Sequence, residues 1–413
     1  MTHGKSSHKV WHSVLICLGG TAQTFAASCF TSQQDRDSTY YSDTEIITAS
    51  EDTAAIGQYW GTTKVLANAR YGYPGFREKG SMIGTAFTAR DLMQIVDALE
   101  EDGLLRYWDI FYGATLGATV AAMFPERIDR IVLDGVMNPH QYYNGYINSA
   151  HSDQCVFAHR DRPTEDIENA VYQVLADLKA EPLVEGITVI DSYLVSQIIR
   201  ELLNQAGSYD ALSRVLDALL DSPPDTVTLS ALAFSPGTGN SQETAGESDE
   251  SSHAIHCGDK QAPQRTLDEV SPLFDEYQEE SQLLDSFGSG LAMFCANRRI
   301  ESKERYEGDF NVRTKHPPLI IGNTYDPATP LASARNLSER LEGSILVEHG
   351  GFGHGSLKHG STCTAETVRE YFSSGALPEP NTYCETDYSR FENTTFIQFL
   401  TNIGLMDVVL EAQ

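Results

Sequence analysis

An aspartate and a histidine follow two consecutive predicted strands near the carboxyl end of the 413-residue chain. Asp326 comes after the apolar run PPLIIGN, in a turn whose backbone Pro327 and Pro330 restrict. His354 comes after the run SILVEH, in the segment GGFGHGS, where glycine permits sharp backbone turns. A carboxylate that orients an imidazole turns it into a general base for a nucleophile. The pair therefore predicts the acid and the base of a triad for acyl transfer.

Each of the two residues also has an ordinary structural explanation. An aspartate in a proline-rich turn is commonly a turn or cap residue, and a histidine among glycines is commonly a residue of a surface loop. Their shared position, at the ends of consecutive strands and downstream of a strand-helix-strand unit, favours the triad.

The nucleophile of such a triad should lie on a strained turn between a strand and a helix, in the pattern G-x-S-x-G. The segment RYWDIFYGATLGATVAAMFPERIDRIVLDG predicts a strand, a turn, a helix of small residues and a second strand. Its turn reads Asp109-Ile110-Phe111-Tyr112-Gly113, so phenylalanine occupies the serine position and aspartate that of the first glycine. Phenylalanine has no proton to lose, and it disfavours a positive φ. The sequence predicts that the acyl-enzyme route is closed, with the Tyr112 N–H as the remaining oxyanion donor.

A substitute nucleophile is not expected. Thr115 lies inside the predicted helix, Cys155 lies in the middle of the chain, and Ser356 follows the histidine. None of the three has the position of the turn residue.

The predicted elements have an α/β order interrupted by helices. The run ARDLMQIVDALEEDGL predicts a helix that Gly103 can end, before the strand-turn-helix-strand unit. Three segments with apolar residues at helical spacing follow, with no clear strand between them. The polar segment 235–253 predicts an acidic loop. Strands and helices alternate again towards the carboxyl end, which predicts a mostly parallel sheet.

Composition excludes several classes of function. The net charge is −29, with 58 acidic against 29 basic residues, so the chain should repel phosphate backbones and anionic lipid. We therefore expect no nucleic-acid partner and no membrane partner. The seven cysteines form no C-x-x-C pair of the kind that holds zinc, and no metal or other cofactor is predicted.

The first residues allow two interpretations. The basic start and the run SVLICLG resemble a weak signal peptide. A buried strand from Val10 to Cys17 is the interpretation that we prefer, and it leaves the cellular compartment unknown.

Four segments carry a specific family resemblance. The segments GATLGATVAAMFPERIDRIVLDGV, PPLIIGNTYDPATPLASARNLSERL, GGFGHGS and CTAETVREYF closely resemble secreted α/β-hydrolases with a tripeptidyl aminopeptidase-like (TAP-like) C-terminal region. The resemblance implies an α/β-hydrolase fold with a helical lid, hydrolysis of peptides, amides or esters, and secretion. It also implies the acid role for Asp326 and the base role for His354.

The resemblance extends to the cysteines. It implies disulfides between Cys257 and Cys295 and between Cys363 and Cys384. Cys29 resembles a family cysteine whose partner is absent here, and Gly355 replaces the family cysteine after the histidine.

The amino-terminal part departs from the family pattern. Our preferred alignment lacks the first three strands and the oxyanion loop, whereas the alternative makes Leu18-Gly19-Gly20 that loop. We expect residues 1–139 to form the first part of the core, 140–300 the helical lid insertion and 301–413 the TAP-like part of the core.

Three functions stay open at this stage. The first is a degenerate hydrolase that binds a small molecule or a peptide in the cleft under the lid. The second is an enzyme of small-metabolite biosynthesis that uses His354 and Asp326 as acid and base. The third is a non-catalytic binding protein or a decayed gene product. The oligomeric state is not predicted.

Overall fold

The computed structural model describes residues 53–72, 74–144, 164–233, 245–260, 265–280, 283, 285–392, 394 and 396–402. Its central sheet has the order β1-β2-β5-β6-β7, and every neighbouring pair of strands is parallel. The strands are β1 Leu105–Phe111, β2 Ile128–Val136, β5 Leu319–Tyr325, β6 Ile345–Phe352 and β7 Tyr383–Cys384. Two separate stretches of the chain thus form one sheet, and the residues between β2 and β5 are an insertion.

Helices cover both faces of the sheet. In β2, Ile131 and Leu133 join one hydrophobic cluster with α3, α4 and α14, whereas Val132 joins a second cluster with α15. These helices are α3 Thr85–Ala98, α4 Tyr112–Met123, α14 Leu331–Ser338 and α15 Thr362–Ser374. Burial on both faces explains the apolar runs 131–133 in β2 and 319–321 in β5. The predicted α/β-hydrolase class, with a mostly parallel sheet, is confirmed.

Residues 164–233 form a helical layer with its own hydrophobic core, and we call this layer the lid. Its helices are α6 Thr164–Ala180, α7 Ser192–Leu203, α8 Tyr209–Leu220 and α9 Thr226–Ala233. An antiparallel hairpin of β3 (Leu183–Glu185) and β4 (Thr188–Ile190) lies between α6 and α7. The hairpin was not predicted from the sequence, because strands of three residues are too short to display the alternation of apolar and polar residues.

The remaining inserted helices pack against a different element. They form a cluster with α1 (Thr53–Gly72), separate from the core of the lid. They are α10 Ala245–Asp259, α11 Leu267–Val270, α12 Pro272–Glu280 and α13 Asp285–Ala296.

The predicted acidic loop at 235–253 is wrong over 245–253, because α10 already begins at Ala245. Ala254, Ile255 and Cys257 are buried and hold this helix in place. Residues 234–244 lie outside the described residues.

Both predicted disulfides are present. Cys257 and Cys295 join α10 to α13, with 4.9 Å between their Cα atoms. Cys363 and Cys384 join α15 to β7, with 5.4 Å between their Cα atoms.

The other elements are short, and one predicted boundary differs. They are α2 Pro74–Lys79, α5 Pro139–Asn144 and α16 Phe396–Asn402. Helix α3 ends at Ala98, before Gly103. No helix in the described part of the chain is long and apolar enough to cross a membrane. The predicted strand Val10–Cys17, the signal-peptide alternative, the oxyanion alternative Leu18-Gly19-Gly20 and Cys29 all lie outside the described residues.

Candidate active site

The turn between β1 and α4 keeps the backbone of a nucleophile elbow. Phe111 ends β1 with φ +57° and ψ −117°, and α4 begins at the next residue. A positive φ is unfavourable for a phenylalanine, at about 1–3 kcal/mol, so the surrounding packing must impose it. The Phe111 side chain is 40% exposed. The preference of phenylalanine for negative φ has therefore not reshaped the turn.

Asp109 is accommodated by the absence of a side chain at Gly113. A Cβ built at Gly113 would lie 2.0 Å from the Asp109 Cγ. The Asp109 carboxyl accepts a hydrogen bond from the Ile110 N–H at 2.8 Å, and its Oδ2 lies 3.2 Å from the Tyr107 hydroxyl. The Asp109 carboxyl is therefore hydrogen-bonded although it lies between β1 and α4.

The protonation of Asp109 follows from these contacts. Burial raises the pKa of Asp109 to about 6, although the hydrogen bonds from Ile110 and Tyr107 act in the opposite direction. The single proton of Tyr107 also has a closer acceptor, the Gly113 carbonyl oxygen at 2.7 Å. Below about pH 6, where Asp109 is protonated, the carboxyl can donate to the Tyr107 oxygen while Tyr107 donates to Gly113.

Asp326 and His354 meet at the carboxyl ends of β5 and β6. The His354 Nδ1 lies 3.2 Å from each carboxylate oxygen of Asp326. An ionised carboxylate only accepts hydrogen bonds, so Nδ1 carries the proton and Nε2 is the atom that can act as base. The structure thus brings the two predicted residues together in the geometry of an acid–base pair.

The loop after β5 fixes the Asp326 carboxylate. Oδ1 accepts from the backbone N–H of Ala328 and of Thr329, at 2.9 and 2.7 Å. Oδ2 accepts from the Thr329 hydroxyl at 2.9 Å and from the Gly355 N–H at 2.8 Å. Every lone pair of the buried carboxylate is therefore directed at a donor, and the Pro-rich turn serves this purpose.

The two groups stabilise each other's charge. Burial favours neutral Asp326, but the His354 charge and the hydrogen bonds hold the pKa of Asp326 below its ordinary value. Burial likewise disfavours the imidazolium, yet the Asp326 charge and hydrogen bond raise the pKa of His354 above its ordinary value. A histidine with a raised pKa is a stronger proton acceptor than a free one.

His354 lies in a loop that follows β6, and we call residues 353–356 the histidine loop. A second carboxylate, from β2, supports this loop. Asp134 is fully buried and accepts from the Ser356 N–H at 3.0 Å and from the Ser356 hydroxyl at 2.5 Å. Burial raises the pKa of Asp134 to about 6, against the effect of these hydrogen bonds. The sequence reading missed Asp134 and Thr329, because neither lies in a motif that marks it as part of the site.

The Phe111 ring occupies the space beside the histidine. The two ring centroids lie 5.0 Å apart, and the planes are nearly perpendicular at 88°. Tyr112, whose N–H begins α4, is anchored on the other side by its hydroxyl, 2.9 Å from the Thr85 hydroxyl. The first N–H groups of a helix have no acceptor within it, and the Tyr112 N–H, at the start of α4, is one of these groups.

Sequence comparisons identify several related proteins. Residues 282–384 match the family described as TAP-like protein. The serine protease Hip1 of Mycobacterium tuberculosis is 26% identical over 340 residues, which cover 73% of this chain and 62% of that protein. The tripeptidyl aminopeptidase of Streptomyces coelicolor is also 26% identical, over 75% of this chain and 60% of its own length. Residues 282–384 thus form a TAP-like segment, and most of the chain is related in sequence to these two proteins.

The chain spans about three fifths of the length of those relatives, 62% and 60% respectively. Among solved structures, the meta-cleavage product hydrolase of Pseudomonas fluorescens IP01 is 16% identical with a TM-score of 0.30. That match covers 71% of this chain and 73% of the hydrolase.

Thr115 and Ser356 do not replace the missing serine. Thr115 is buried inside α4. Ser356 is buried, and its hydroxyl donates to Asp134. Cys155 lies outside the described residues. Within the described part of the chain, no cluster of three or more His, Cys, Asp or Glu side chains could hold a metal ion.

Proposed function

We propose that this chain is a hydrolase-fold protein that binds a peptide or a small acyl ligand in the cleft under the lid without forming an acyl-enzyme. The observation that carries the proposal is the Phe111 side chain at the elbow, with its ring against His354. An acyl-enzyme requires an oxygen or sulfur nucleophile at this position, and a benzene ring supplies neither.

The retained geometry supports a ligand related to those of the hydrolases. The elbow backbone, the Tyr112 N–H and the Asp326–His354 pair are the groups that receive an acyl substrate in this type of site. The tripeptidyl aminopeptidase relatives make a peptide the first ligand to test.

Restoration of the nucleophile tests whether the rest of the site is aligned. The double variant F111S/D109G is compared with F111A/D109G, which opens the same space without a hydroxyl. We expect the serine variant to hydrolyse p-nitrophenyl esters and to react with a fluorophosphonate probe, while the alanine variant does neither. Equal inactivity of both variants would show that the acid, base and oxyanion donors are not aligned, and it would argue against a ligand site derived from the hydrolase cleft.

A second candidate function rests on the intact acid–base pair. His354, oriented by Asp326 and with a raised pKa, can move a proton in a reaction that needs no covalent intermediate. Metabolite profiling of a deletion strain tests this candidate. A compound that accumulates in the deletion strain, and that returns to normal with the wild-type gene but not with H354A, would favour the enzyme over the binding protein.

A further inference from the structure

A turn of the lid lies directly on the histidine loop. Residues 204–208 connect α7 to α8, and together with Tyr209, the first residue of α8, we call them the lid turn. The His354 N–H donates to the Asn204 carbonyl oxygen at 3.0 Å. Gly353 has φ +87°, and a Cβ built on it would lie 3.0 Å from both the Asn204 oxygen and the Ala206 nitrogen. The backbones of the lid and of the loop are therefore in direct contact.

Tyr209 extends this contact to β5 and β6, the strands that precede Asp326 and His354. Its side chain is 4% exposed, and its ring lies 5.5 Å from that of Phe352, in an edge-to-face arrangement. Phe352 in turn stacks on Tyr325, with 4.2 Å between the ring centroids. Phe352 precedes His354 by two residues, and Tyr325 immediately precedes Asp326. One aromatic stack thus connects the lid to the strand ends that carry the acid and the base.

The Tyr209 contact is a packing contact. The Tyr209 hydroxyl is buried and has no hydrogen-bond partner among the described residues. Burial raises the pKa of Tyr209, as does the charge of Asp326, whereas Arg390 acts in the opposite direction. The side chain therefore stays neutral, and its ring, not its hydroxyl, makes the connection.

The histidine loop has two independent supports. From the sheet, Asp326 accepts from the Gly355 N–H and Asp134 accepts from the Ser356 N–H. From the lid, Asn204 accepts from the His354 N–H. A loop built on GGFGHGS has little conformational preference of its own, so these outside contacts must set its shape.

We propose that the lid turn positions His354 against Asp326, so that a ligand which displaces the lid turn also loosens the acid–base pair. Tyr209 is a positioning residue in this arrangement. The inference rests on the proposed function to the extent that the ligand enters under the lid. The inference adds that the lid regulates the Asp326–His354 site.

The test measures how strongly Asp326 acts on His354, with and without the lid contact. His354 is titrated by NMR in the full chain, in the wild type, D326N, Y209A and Y209A/D326N. In the wild-type background, D326N should lower the pKa of His354 by about one unit, because the raising charge is removed. In the Y209A background, we expect D326N to lower it by less than half as much. Asp134 and Lys358, which also act on His354, are unchanged in all four chains.

Matched variants separate positioning from general damage. Y209F keeps the ring and should keep the wild-type effect of D326N. V227A alters an exposed residue of the lid and should do the same. If circular dichroism shows that Y209A is unfolded, Y209L replaces it, because leucine keeps an apolar side chain at this buried position and removes the ring. An equal effect of D326N with and without the lid contact would overturn the proposal. The titration needs no substrate, so this outcome is distinct from a failure of the Phe111 proposal.

Discussion

The Phe111 ring stands nearly perpendicular to the His354 ring, 5.0 Å from it, at the position from which a serine hydroxyl would attack. The base is intact and oriented by Asp326, and the elbow backbone is intact at φ +57°. The site therefore combines an oriented acid–base pair with a side chain that cannot accept an acyl group.

Asp109 and Gly113 should depend on each other. We predict that G113A destabilises the wild type, because a Cβ at this position would lie 2.0 Å from the Asp109 Cγ. In the D109G background the same change should be well tolerated. Urea unfolding of the four chains measures the coupling free energy, which we expect to be about 1–3 kcal/mol. Additive effects of the two substitutions would show that the carboxyl does not occupy the space above Gly113.

Asp134 should make stability depend on pH. Its pKa is about 6 in the folded chain, above the ordinary value of 3.8, so folding favours the protonated acid. The stabilisation that comes from this raised pKa is fully present below about pH 4 and is lost as the pH rises through 6. We predict that the free energy of unfolding of D134N, measured relative to that of the wild type, increases from pH 4 to pH 7, by roughly 3 kcal/mol at most. A difference in the free energy of unfolding that stays constant over this range would contradict the prediction.

The disulfide between Cys257 and Cys295 should stabilise the cluster of α1 with α10–α13. It closes a segment of 38 residues, and removing such a crosslink lowers the free energy of unfolding by about 2–4 kcal/mol. We predict this loss for C257A/C295A in urea unfolding. Hydrogen exchange in that variant should accelerate in α10 and α13, while exchange in the α7 and α8 helices of the lid should match the wild type. Uniform acceleration across the chain would show that the clusters do not unfold separately.

Much of the core could be predicted because its signals are local. β2 and β5 contain apolar runs, α4 is a helix of small residues, and Asp326 and His354 directly follow strands. Asp134 and Thr329 could not be found this way, since their importance comes from contacts with residues distant in the chain or from a turn that looks ordinary. The hairpin of β3 and β4 and the start of α10 were missed for a different reason. The strands of the hairpin are too short to display a period of two, and the start of α10 carries a polar sequence that resembles a loop.

Reaction of the unmodified full chain with a fluorophosphonate probe, together with turnover of a p-nitrophenyl ester, tests the central claim most directly. We predict no covalent adduct by intact-mass spectrometry and no ester turnover beyond that of H354A. An adduct that peptide mapping assigns to one side chain, with turnover that disappears in H354A, would contradict the claim that Phe111 has ended acyl-enzyme chemistry in this chain.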